Sequence, residues 1–118
     1  MVAGSLQLML AADSSWDAPV EFHVATDVSK EPPVVTVWGE IDLATVAPFR
    51  DALAEAIETG TSTIVVDLSR VSFMGSTGIR ELIRAHNVTS RIELRVPPGI
   101  VRRALDTAVL PDTFVIVD

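Results

Sequence analysis

Ile64-Val65-Val66-Asp67-Leu68-Ser69-Arg70-Val71-Ser72-Phe73-Met74-Gly75-Ser76-Thr77-Gly78-Ile79 is the stretch that decides the fold. It opens on a short, β-branched apolar run, the pattern of a strand covered on both faces in a parallel or mixed sheet. A short apolar link through Val71, Phe73 and Met74 then reaches a tight turn flanked by Gly75 and Gly78. A helix follows, with Ile79, Leu82, Ile83 and His86 read as its inner side and Asn87 and Ser90 as its stop. A buried strand feeding a helix through a glycine turn points to a layered α/β arrangement.

The flanking sequence extends that pattern in both directions. On the N-terminal side, Val46, Phe49, Leu53 and Ile57 recur at spacings of three and four and predict a helix over 46–58. Thr45 is its candidate N-cap, Pro48 falls in its first turn, and Gly60 ends it. Glu21–Thr26 alternates apolar and polar residues, and Val34–Gly39 is β-branched almost throughout. With the turn Lys30-Glu31-Pro32-Pro33 between them, these two predict an antiparallel hairpin. On the C-terminal side, Arg91–Val96 alternates as a strand, and Pro97-Pro98-Gly99 breaks it. A third helix over 98–108 is expected to start at Pro98 and to point Ile100, Val101, Ala104, Leu105 and Ala108 inward. Leu110-Pro111-Asp112 then turns the chain into a terminal strand over 114–117.

The predicted order is β-β-α-β-α-β-α-β: one α/β domain over 21–118, with a mixed sheet of about five strands and helices mainly on one face. Val65, Leu68, Phe49, Leu53, Leu82, Ile83 and Leu105 are the expected core. Residues 1–20 form an N-terminal extension, disordered or an extra edge strand. Its apolar piece Leu6–Ala12 resembles part of a secretion signal, but no Lys or Arg precedes Lys30, so the positive leader is missing.

Composition narrows the chemistry. The 118-residue chain contains no cysteine, which excludes disulfides, thiolate metal sites and cysteine nucleophiles. No apolar run approaches the roughly 20 residues needed to span a bilayer, so membrane insertion is not expected. The net charge of −7 divides into −9 over residues 1–68 and +2 over 69–118. A net acidic surface repels phosphates and argues against direct nucleic-acid binding. The seven arginines of the second half read as a solvated exterior.

Ser76 and Thr77 are the residues with chemical potential, because a helix start leaves its first N–H groups unpaired. Ser76 as an N-cap contributes on the order of 1 kcal/mol. The same position also tolerates a phosphate, since the dipole and free N–H groups favour an anion. Enzyme readings fail on spacing. A triad of Ser76, His86 and Asp67 would need a proton to cross the ~15 Å that separates ten helical residues. The nucleophile elbow is also broken, because position 74 is Met. Gly75-Ser76-Thr77-Gly78 lacks the long loop and lysine of a phosphate-binding loop, and no metal ligand set is evident. Glu40 and Asp42 alternate on an extended segment and read as a solvated hairpin end near a partner.

The same residues resemble a known family. Asp67-Leu68-Ser69, Val71, Phe73-Met74 and Gly75-Ser76-Thr77-Gly78-Ile79 are similar to the hallmark of STAS domains in anti-sigma-factor antagonists. Gly39-Glu40-Ile41-Asp42 resembles the segment before the family's first helix, and Val96–Leu105 its last helix. The resemblance spans roughly residues 20–118. It implies a non-enzymatic cytoplasmic regulator that binds an anti-sigma factor with a histidine-kinase-like ATPase domain, needs no cofactor, and is switched off when that kinase phosphorylates Ser76. Thr77 is the secondary acceptor. Glu40, Asp42, Met74, Gly75, Ser76, Thr77, Gly78 and Arg80 are the implied partner-binding residues. Gly75 replaces the family's Asp before the switch serine, and about half a dozen residues are missing after the second helix. These departures keep a second expectation open: a STAS scaffold, or an accessory subunit of a stress-signalling assembly or a lipid or anion transporter, that does not switch.

Overall fold

The structure, a computed structural model, describes residues 21–108 and 114–117. The expectations for 1–20 and for the turn at Leu110-Pro111-Asp112 fall outside the described residues. In chain order the elements are β1 (His23–Asp27), β2 (Val34–Ile41), α1 (Val46–Ile57), β3 (Thr63–Met74), α2 (Ser76–His86), β4 (Arg91–Arg95), α3 (Ile100–Thr107) and β5 (Phe114–Val117). The predicted order is the observed one.

The five strands form one mixed sheet in the order β1-β2-β3-β4-β5. Only the β1–β2 hairpin is antiparallel; each later strand lies parallel to its predecessor. Parallel neighbours need crossovers, and those connections are almost always right-handed. Because the strands step across the sheet in one direction, α1, α2 and α3 land on the same face. On that side Val35, Val37, Ile64, Val66, Leu68, Ile92 and Leu94 meet Phe49, Leu53, Leu82 and Leu105 in one core. The opposite face presents Trp38, Thr36, Asp67, Glu93 and Arg95, and among the described residues no helix covers it. The one strand expected to be covered on both faces, Ile64–Leu68, therefore has a helix layer on one face. Val65 is on that second face and is still only 2% exposed. Its cross-strand neighbours are Val34 and Glu93.

Three expectations change. First, the apolar link after Leu68 is strand: β3 runs on to Met74 and stays paired with β2 as far as Ile41. Register shifts between Thr36 and Trp38 and between Gly39 and Glu40 break the simple alternation there. Second, the inner face of α2 is Gly78, Glu81, Leu82 and Ala85, while Ile83 is half-buried. The helix packs on α1 as well as on the sheet, which turns Glu81 inward. Third, α3 begins at Ile100 with Gly99 at the N-cap position, leaving Pro98 outside it. Ile100 is 65% exposed, and Val101 and Leu105 alone are fully buried on that short helix.

Gly39 has φ +96, a conformation that side-chain-bearing residues rarely adopt. A Cβ there would also stand 3.0 Å from the Phe22 Cα. Gly39→Ala should therefore destabilise the domain by about 1–3 kcal/mol. Phe49→Ala should cost more, about 3–5 kcal/mol, because the ring is fully buried. Urea unfolding followed by circular dichroism would measure both.

Candidate functional site

The continued pairing of β2 and β3 delivers two loops to the same end of the sheet. The Gly75 amide donates to the Ile41 carbonyl at 2.9 Å, joining the end of β3 to the end of β2. Glu40 and Asp42 therefore stand beside the start of α2. They are not at a hairpin end, since the β1–β2 turn lies at the opposite end of the sheet.

Asp42 is committed to holding its own loop. Its carboxylate accepts from the Ala44 amide at 2.9 Å and the Thr45 amide at 3.2 Å. The Thr45 hydroxyl donates to the Glu40 carbonyl at 2.8 Å and accepts from the Asp42 amide at 3.0 Å. Thr45 occupies the N-cap position of α1, but its side chain makes no capping bond because this loop uses it. Asp67 plays a similar part within β3, accepting from the Ser69 amide at 3.0 Å and hydroxyl at 2.7 Å. The carboxylate that a triad would require is thus a brace within the sheet.

At α2 the N-cap is Gly75, in extended backbone with φ −84 and ψ 177, so Ser76 is the first helical residue and not the cap that its place before the helix suggested. The Gly75 carbonyl accepts from the Gly78 amide at 3.1 Å and the Ile79 amide at 3.3 Å. The amides of Ser76 and Thr77 precede the first residue for which the helix supplies a carbonyl. Ser76 is exposed and Thr77 half-buried. Met74 and Gly78 lie beneath them, with Met74 3% exposed. Arg80 is exposed one turn further along. His86 lies at the far end of the helix, stacked on Phe114 with ring centroids 5.2 Å apart. The structure therefore brings Glu40, Asp42, Gly75, Ser76, Thr77 and Arg80 to one end of the domain, keeps Met74 and Gly78 as their support, and leaves His86 and Asp67 elsewhere.

Two apolar side chains at this end were not among the residues expected to bind a partner. Leu43 is 79% exposed in the loop after β2, and Phe73 is 45% exposed near the end of β3. Leu43 carried a readable signal, being a large apolar residue between polar turn positions. Phe73 did not, because the register shift between Gly39 and Glu40 is what turns it outward. Its ring comes within 3.5 Å of where a Cβ on Gly75 would lie. The resulting surface is a serine hydroxyl at a helix start, flanked by exposed apolar groups and by Glu40. Among the described residues, no group of three His, Asp or Glu side chains is placed to hold a metal ion, and no helix is long and apolar enough to cross a membrane.

A chain with this sheet order and a serine at the start of its second helix has the architecture of a small α/β domain of mixed sheet and one helix layer. It belongs to the STAS domain family: the family model described as "Mlab, STAS domain" matches residues 24–116. Over 70 residues it is 36% identical to the anti-sigma-F factor antagonist RsfB of Mycobacterium tuberculosis, covering 59% of this chain and 55% of the relative. The match thus spans about half the length of that relative. Among solved structures, an anti-sigma factor antagonist from Mycobacterium paratuberculosis superposes with TM-score 0.75 at 25% identity, covering 85% of this chain and 88% of that one. SpoIIAA in its unphosphorylated form shares the fold at TM-score 0.61 and 24% identity, over 83% of this chain and 88% of that one. The phosphorylated Bacillus SpoIIAA does so at TM-score 0.59 and 24% identity, over 83% and 92%.

The two glycines at the helix start should respond in opposite ways. A Cβ at Gly78 would stand 2.8 Å from Ile41 Cγ2 and 3.1 Å from Met74 Cγ, both on buried side chains. Gly78→Ala should destabilise by about 1–2 kcal/mol despite alanine's better helix propensity. At Gly75 the nearest atom to such a Cβ is 3.5 Å away, and the backbone suits any residue. Gly75→Asp should fold normally and gain roughly a few tenths of a kcal/mol through capping. Denaturant midpoints of the two variants would test the contrast.

Proposed function

We propose that this chain is an anti-sigma-factor antagonist controlled at Ser76. In its unmodified form the surface around Ser76 binds an anti-sigma factor that carries a histidine-kinase-like ATPase domain, freeing the sigma factor for transcription. That kinase then transfers the γ-phosphoryl group of ATP to Ser76 Oγ. The new bond is phosphorus to serine oxygen, the bond to the ADP leaving group breaks, and the serine proton is lost. Thr77 is the secondary acceptor, and Glu40, Asp42, Gly75 and Arg80 border the contact.

The observation that carries this reading is the exposed Ser76 at the first position of α2, at the same end of the sheet as exposed Leu43 and Phe73. Apolar groups supply the affinity of a protein contact, and a phosphate of −1.5 to −2 charges added to their centre opposes it. Glu40 adds to that repulsion. That several relatives are anti-sigma factor antagonists supports the same role. In this reading the chain performs no catalysis of its own, takes no cofactor, and works in the cytoplasm, where ATP and the sigma factor are found.

The Gly75 substitution favours one other reading. Without the family's Asp beside the acceptor, the chain serves as a STAS scaffold or as an accessory subunit of a stress-signalling assembly or transporter and does not switch. A pull-down from native lysate with identification of the bound chain separates the two: an ATPase-domain anti-sigma factor supports the antagonist, and a transporter subunit overturns it. With the purified partner, Ser76→Ala should bind like the wild type and resist phosphorylation. Ser76→Glu should weaken binding by about 1–3 kcal/mol. Phosphopeptide mass spectrometry after incubation with partner and ATP, alongside a binding isotherm, reads out both. Gly75→Asp should speed phosphorylation if the missing carboxylate orients the acceptor.

A further inference from the structure

The face of α2 that starts at Ser76 leads into an apolar groove. Ser76, Arg80 and Arg84 recur at intervals of four and share one side of the helix. Val88, 68% exposed, lies just past its end. Between α1 and α2 opens a groove of about 190 Å³ whose walls include Ala54, Ile57, Ala85 and Val88. Its rim holds Arg50 from α1 and Arg84 from α2, both bound to one buried carboxylate, Glu81, at 3.5 and 3.3 Å. Two guanidinium groups on one carboxylate leave a local surplus of positive charge. Arg80 adds to it, having no ion-pair partner among the described residues. The chain as a whole carries a net charge of −7, and this positive rim adjoins an apolar floor. Two of the seven arginines that the sequence reads as a solvated exterior, Arg80 and Arg84, therefore share one side of α2, and Arg84 joins Arg50 at the groove.

We infer that the α1–α2 groove docks an acidic amphipathic helix of the anti-sigma partner, continuing the contact that begins at Ser76. The occupant's apolar stripe covers Ile57, Ala85 and Val88, as helices commonly fill a groove between two others. Its acidic residues lie toward Arg80 and Arg84. On the α1 side Arg50 stands at the groove, and beyond it the exposed Asp51, Glu55 and Glu58 repel acidic residues, so the charge pattern sets the orientation as well as the affinity. A phosphate on Ser76 stands one helical turn from Arg80 and competes with the partner's carboxylates for it. This rests on the antagonist reading and adds to it the chemistry of the partner's segment.

The test uses the full chain and the recombinant anti-sigma factor identified by the pull-down. Arg80→Glu should weaken binding about tenfold or more and flatten its salt dependence. Ala54→Trp, which fills the groove, should weaken it comparably, and Arg103→Glu on exposed α3 should leave it within about twofold. Thermal unfolding confirms that each variant is folded. Because the chain has no cysteine, Val88→Cys carries a single photo-crosslinker, which should attach to a helix of the partner rich in Asp and Glu. Unchanged binding of Arg80→Glu and Ala54→Trp while Ser76→Glu still weakens it would overturn the groove and leave the antagonist standing. A crosslink to a basic or non-helical segment would overturn the stated occupant. Failure of the wild-type chain to bind any anti-sigma factor would remove both.

Discussion

The parallel pairing of β2 with β3 along its whole length, from Val34–Val65 to Ile41–Met74, is the constraint on which the rest of the domain depends. It forces a crossover, so α1 must return over the sheet, and right-handedness places α1 on the face that α2 and α3 also take. It brings the loop after β2 beside the turn after β3. It also ends on the Gly75 amide donating to Ile41, which sets where α2 begins. Had β3 stopped at Leu68, Ser76 would hang on a loop and Leu43 and Phe73 would have no common surface.

Support for the site is local and largely polar on one side, apolar on the other. Asp42 and Thr45 close the β2–α1 loop through four short hydrogen bonds, so the side chains most suggestive of chemistry are occupied in holding the backbone. Beneath α2, Ile41 and Met74 leave room for hydrogen alone at Gly78. The first turn is thereby seated against the sheet, while Ser76 above it stays exposed. Rigid support under an exposed hydroxyl is what the switch proposed at Ser76 would require, since a partner must recognise the same surface each time.

Glu81 shows the same division at the helix–helix contact. A carboxylate 6% exposed costs a great deal if unpaired, and Arg50 and Arg84 provide the compensation from two different helices. The pair ties α2 to α1 while leaving guanidinium groups at the surface. One buried acid thereby organises the positive rim of an apolar groove on an acidic protein.

The element order, all eight elements and most of the core were legible in residue patterns, because β-branched runs and three-and-four spacing report burial of one face directly. Val65, Leu68, Phe49, Leu53, Leu82 and Leu105 are all buried as expected. The glycine-flanked Ser76 was equally legible, since a turn opening a helix is a local property. What the chain could not announce was any feature defined by two distant segments. The extension of β3 to Met74, the outward turn of Phe73, the inward turn of Glu81 and the half-burial of Ile83 all arise from register between strands or packing between helices. The grouping of Arg50, Arg80 and Arg84 is of the same kind, for α1 and α2 are neighbours only after the sheet has formed. Periodicity along one element states which face is apolar; only tertiary contact decides which neighbour that face meets, and so which charges share a surface.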